Sequence, residues 1–87
     1  MTSRLINRNV TAVEGRTSMR LEPELWNALE EICLREKKNL ATLVQSVERT
    51  RNGGGRTSAV RVHIVDYFRA AATEAGHHAA GHGALRE

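Results

Sequence analysis

The spacing of apolar residues changes near the start of the chain, from a period of two to a helical period. Across residues 16–21, Thr17, Met19 and Leu21 alternate with Arg16, Ser18 and Arg20. Strand side chains point to opposite faces with period two. The stretch therefore predicts a short strand with one core-facing side and one side bearing two guanidinium groups and a hydroxyl. From Pro23 onward the period lengthens. Leu25, Trp26, Ala28, Leu29, Ile32 and Cys33 fall on one helical stripe, with Asn27, Glu30, Glu31 and Arg35 elsewhere. Pro23 suits the first helical position, where its missing N–H has no intrahelical use, and Glu24 lies near the positive end of the helix dipole. Leu34 is off the stripe, so it is either exposed or covered by another element.

Lys37, Lys38 and Asn39 interrupt the pattern. A second helix is expected from about Leu40 to Arg51, with Leu40, Leu43, Val44 and Val47 on one face. Asn39 can cap it by accepting from a first-turn amide. Free amides there, beside Lys37 and Lys38, would make an anion site, although an ordinary capped helix explains the same residues. Residues 52–55, Asn-Gly-Gly-Gly, are a flexible link and lack the Gly-Lys-Ser/Thr of a phosphate loop. Residues 56–75 fit two periods. Val60, Val62 and Ile64 alternate as a strand would, while Val60, Ile64, Tyr67, Phe68, Ala71 and Ala75 make a helical stripe. Helix is preferred: Thr57 or Ser58 can cap it, the run at Ala70, Ala71 and Ala72 favours it, and no turn residue intervenes before Gly76.

The flanks are read as less regular. In residues 1–15, Val10, Thr11 and Val13 favour extended backbone, and Glu14 with Gly15 can form a turn or a hinge. The strand at 16–21 needs a ladder partner. Two are available: this arm, or the same strand of a second copy. The organisation expected is an arm or loose strand at 1–15, a core at 16–52, a Gly-linked third helix at 53–75, and a disordered His-containing tail at 76–87.

Composition adds two constraints. Eighty-seven residues with one Trp, one Tyr and one Phe suggest a thin helical layer that needs a partner to complete its core. Charge is unevenly placed. Arg4, Arg8, Arg16 and Arg20 against Glu14 carry the whole formal excess of +3, and residues 22–87 are balanced. That asymmetry suggests a polyanion-binding edge on a neutral body, with Arg4 and Arg8 as backbone or groove contacts. A basic terminus that merely aids solubility is the plain alternative.

No catalytic set emerges. Cys33 lacks a context that would lower its pKa and reads as a small buried hydrophobe. Glu30 and Glu31 are adjacent and so point apart, and His63 with Asp66 reads as a solvated helix pair. His77, His78 and His82 fit no standard metal spacing and have no supporting cluster; no metal, cofactor or small-molecule substrate is expected. No run approaches the ~18 apolar residues of a membrane span, and residues 1–20 hold no apolar leader core. The expected location is the cytoplasm, on the nucleoid.

Strand, helix, short turn, helix is the order of the ribbon-helix-helix proteins, and the chain resembles a short bacterial subgroup of them. The matching pieces are Arg8-Asn9-Val10, Thr17-Ser18, Trp26, Asn39-Leu40 and Ser58-Ala59-Val60-Arg61-Val62. The resemblance implies a mostly α fold with one short β-strand, forming an intertwined homodimer. Its two-stranded antiparallel ribbon would take one strand from each copy, and a C-terminal helix would be an addition. Met19, Leu21, Trp26, Leu29, Ile32, Leu43, Val44 and Val47 would form the dimer core. The ribbon would enter the major groove of double-stranded DNA, with Arg16, Ser18 and Arg20 reading bases. Lys37, Lys38, Asn39, Leu40, Ala41 and Thr42 would hold phosphate, with Arg4 and Arg8 assisting. Ala41 departs from the Ser or Thr usual there and cannot cap by side chain. The implied role is a transcriptional regulator, a repressor acting as a dimer or a larger assembly on DNA. The alternative is a protein-interaction module of the same fold, of antitoxin or phage-adaptor type, using Val62 and Val65 beside the main stripe of the third helix.

Overall fold

The computed structural model describes residues 4–51, 53–71 and 74–83. The chain opens with an antiparallel hairpin of β1 (Ile6–Ala12) and β2 (Gly15–Leu21), followed by α1 (Pro23–Glu36), α2 (Leu40–Thr50), α3 (Arg56–Arg69) and a short α4 (Glu74–Ala79). Of the two partners open to the alternating strand, the structure uses the arm. Val13 and Glu14 turn the chain, and Gly15 follows at φ 121°, a conformation that disfavours any side chain. Val10, Ala12, Met19 and Leu21 point inward and are buried.

The hairpin lies on the helices, with β1 chiefly against α2 and β2 touching α3. Trp26 is buried beneath it, and its indole N–H donates to the carbonyl of Ile6 at 2.9 Å, so the largest core side chain also has its polar atom satisfied. The eight residues assigned by resemblance to a dimer core are all buried within this single chain, together with Val10, Val60, Ile64 and Tyr67. The expectation of a helical layer thin enough to need a partner is therefore corrected. β1 and α3 supply the missing cover, so burial of these side chains is complete without a second copy.

Helix α1 ends where the polar break predicts. Lys37 adopts the left-handed conformation at φ 55°, and the amide of Lys38 donates to the Cys33 carbonyl at 3.0 Å, closing the helix end. Leu34 is 68% exposed and Cys33 is half-buried rather than buried. Burial, followed by the nearby Glu30 carboxylate, raises the Cys33 pKa, which suppresses the reactive thiolate. Helix α2 starts at Leu40, capped by Asn39.

Three expectations for the C-terminal third need correction. Gly55, not Thr57 or Ser58, occupies the N-cap of α3, which begins earlier, at Arg56. The helix also stops at Arg69 instead of running toward Gly76, and the chain folds back into α4. Residues 74–83 are thus built onto the body; of the disordered tail expected at 76–87, residues 76–83 pack against it and residues 84–87 lie outside the described residues. His82 stacks on Tyr67 with ring centroids 3.6 Å apart, and His77 is buried against Tyr67 and Phe68. Arg35 pairs with Glu74 at 2.7 Å, and the amide of Gly83 donates to Glu36 at 3.1 Å. An added Cβ at Gly83 would collide with the Arg35 carbonyl. No helix among the described residues is long and apolar enough to cross a membrane.

Candidate nucleic-acid interface

The hairpin register decides which side chains share a surface. Asn7 faces Arg20, Asn9 faces Ser18 and Thr11 faces Arg16, and all six are exposed. They alternate with the inward set, so the outer face of the ribbon is polar from end to end. Among the described residues, none of these six side chains is held by a hydrogen bond or an ion pair.

Four other arginines are occupied. Arg8 faces Met19 on the inner side; its guanidinium lies 4.8 Å from the Trp26 ring centroid and 3.1 Å from Glu30. Arg61 pairs with Glu22 at 3.2 Å and Arg56 with Glu48 at 3.1 Å. Arg35 reaches Glu31 at 2.9 Å as well as Glu74. The carboxylates register these partners. Glu22 is held below the usual range by its own backbone amide, with burial acting against this and Arg61 adding to it. At Glu48 burial opposes the charge, yet the Val13 amide and Arg56 lower its pKa overall.

The start of α2 forms a second feature. Asn39 accepts from the Thr42 amide at 2.8 Å, and Leu43 donates to the Asn39 carbonyl at 3.1 Å. The amides of Leu40 and Ala41 precede those bonds and have no intrahelical acceptor. Arg8, Trp26, Glu30, Lys37, Lys38 and Leu40 line one groove of about 770 Å³ beside this helix end. The structure thus brings Arg8, Lys37, Lys38, Asn39 and Leu40 together, with Ala41 and Thr42 in the following turn. Arg4 is exposed just ahead of β1. Arg16, Ser18 and Arg20 form a separate group on the outer ribbon face.

Residues 5–68 match the ribbon-helix-helix domain. The chain belongs to the ribbon-helix-helix family. That family consists typically of DNA-binding regulators and not of enzymes. No curated protein and no solved structure matches the chain. Within the ribbon-helix-helix domain, the hairpin and α1 to α3 are the matched elements, and α4 follows them.

Asn7, Asn9 and Thr11 are the outer-face residues that sequence reasoning missed. Their signal was present as Asn7, Asn9 and Thr11 alternating with Ile6, Arg8, Val10 and Ala12. Arg8 concealed it, because a charged residue at an inward position breaks the polar/apolar rhythm. The histidines also behave otherwise than expected of a tail. His77 Nδ1 and His82 Nδ1 lie 2.8 Å apart, one donating to the other. Among the described residues, no three His, Cys, Asp or Glu side chains gather as a metal site would require.

Proposed function

We propose that this ribbon-helix-helix protein binds double-stranded DNA sequence-specifically, laying the outer face of its hairpin in the major groove, and that it regulates transcription as a repressor. The observation that supports this most is the pair of exposed arginines, Arg16 and Arg20, on a polar ribbon face where no carboxylate of the described residues neutralises them. Arg can bridge guanine O6 and N7, and Ser18 between them accepts or donates. A two-stranded ribbon is of a size the major groove admits.

Phosphate contacts come from the start of α2, where the Leu40 and Ala41 amides, the Asn39 cap, Thr42, Lys37 and Lys38 converge, and from Arg4. Arg8 contributes less, since Glu30 offsets its charge. The protein acts as a homodimer on a palindromic site.

The test is a gel shift comparing Arg16→Ala, Arg20→Ala, Arg4→Ala and Lys38→Ala on a selected duplex and a scrambled one. The first two should lose discrimination. The last two should weaken both duplexes alike, each reducing the salt slope by about one. Equal losses on both duplexes for Arg20→Ala would refute base readout. A second reading, a protein-interaction module, draws on Val62 and Val65 of α3, which are 56% and 49% exposed. Failure to retain any genomic fragment at low salt would favour it.

A further inference from the structure

The geometry points to β1 as a second base-reading strand: we propose that Asn7 and Asn9 read adenines while Arg16 and Arg20 of β2 read guanines, so that one chain's hairpin carries a complete mixed code. This rests on the DNA-binding reading above and extends it to residues on the other strand.

Three observations carry it. The register sets Asn7 beside Arg20, Asn9 beside Ser18 and Thr11 beside Arg16 on the exposed face. None of these side chains is held by another group among the described residues, so each is available to a ligand without breaking an internal bond. The inward residues of β1 are fixed differently, with Val10 and Ala12 buried and Arg8 held by Trp26 and Glu30. A slip of one residue would bury the asparagines and expose Val10 and Ala12. The outer face of β1 is therefore as firmly specified as that of β2.

Spacing and chemistry agree. Residues two apart on a strand are about 6.8 Å apart, close to two base steps of about 3.4 Å each. A ribbon lying along the groove thus presents successive outer side chains to every second base. The asparagine amide matches adenine N6 and N7 as the guanidinium matches guanine O6 and N7. Opposed side chains lie roughly 5 Å apart across the two strands, so Asn7 and Arg20 reach neighbouring pairs. Thr11 can meet a thymine methyl group through its own methyl. The carboxamides add no charge, which is why a count of basic residues does not find this strand.

The experiment is selection from a random duplex pool with the full chain, the Asn7→Ala/Asn9→Ala double variant and Asn9→Gln. The wild-type chain should select sites with fixed guanines and fixed adenines. The double variant should keep the guanines, lose the adenines, and bind the wild-type site at least ten-fold more weakly with unchanged affinity for scrambled DNA. Asn9→Gln, which retains the bidentate amide, should restore part of the adenine preference. Because Asn7 and Asn9 are exposed, the thermal unfolding of all three proteins should coincide, separating readout from folding. If the double variant selects the wild-type sequence with wild-type affinity, the role of β1 is wrong while DNA binding stands. If the wild-type chain selects nothing at low salt, both readings fail together.

Discussion

Arg8 and Arg20 belong to the same hairpin, one on each strand, yet they face opposite ways. Arg8 lies inward, over the Trp26 ring and against Glu30. Arg20 lies outward, beside Asn7, with no partner among the described residues. Counted as charges they are equal. As groups available to a polyanion they are not, because a guanidinium already paired must exchange one carboxylate for another anion. The inner face of the hairpin supports the fold and the outer face is free for a ligand. Backbone alternation alone separates the two.

The largest effect is expected on the inner side. Trp26→Ala removes the largest buried side chain and its bond to Ile6, and should cost about 3–5 kcal/mol of folding stability, measured by denaturant unfolding. DNA binding should fall with it, equally on all sequences. Arg20→Ala tests the outer side. It should leave stability within about 0.5 kcal/mol and remove roughly 1–3 kcal/mol of discrimination between cognate and scrambled duplexes. If either residue behaves like the other, the division of faces is wrong.

Tyr67→Phe probes the body away from the ribbon. It deletes the hydroxyl that donates to Glu36 at 2.6 Å, and should cost roughly 1.5 kcal/mol with no change in DNA preference. It also has a pH signature. The Tyr67 hydroxyl, opposed by burial and helped by the Gly83 amide, holds Glu36 below its ordinary value of 4.5. A depressed carboxyl stabilises the fold above that value, and the contribution is lost as pH falls from 4.5 through the lower folded value. The acid-side loss should shrink in Tyr67→Phe. His63 acts in a higher window. Burial, only partly opposed by Asp66, lowers its pKa below 6.5, so the unfolded chain takes up the proton first and stability declines as pH falls below 6.5. In His63→Asn that earlier decline should vanish from a melting-temperature profile against pH.

The smallest effect is expected at the ion pair that holds Arg8. Glu30→Gln frees Arg8 beside the groove at the start of α2. Binding to every duplex should tighten a few-fold, with a salt slope steeper by about one, while base preference stays fixed. An unchanged slope would mean that Arg8 remains held by the Trp26 ring alone.

How much of this was legible follows from how local each signal is. The strand at 16–21, the Pro23 start and the Asn39 cap depend on neighbours a few residues apart, and the pattern shows them. The partner of that strand does not, because Arg8 at an inward position hides the alternation of β1, and only its packing on Trp26 explains it. The end of α3 was misread because the alanine run has high intrinsic helix propensity. The fold-back that ends it depends on Tyr67 meeting His82 and on Glu36 meeting Gly83, contacts between residues far apart in the chain. Burial of Met19, Trp26 and Val44 within one chain was equally hidden, since an apolar stripe states that it will be covered and not by which chain.

Amide NMR of the full chain titrated with a selected duplex reports whether DNA binds the outer hairpin face. The account predicts that the largest shifts fall in residues 7–11 and 16–20 and at the start of α2, with Arg8→Ala changing them little and Arg20→Ala diminishing them on cognate DNA. Shifts confined to α3 around Val62 and Val65, with the hairpin silent, would contradict it.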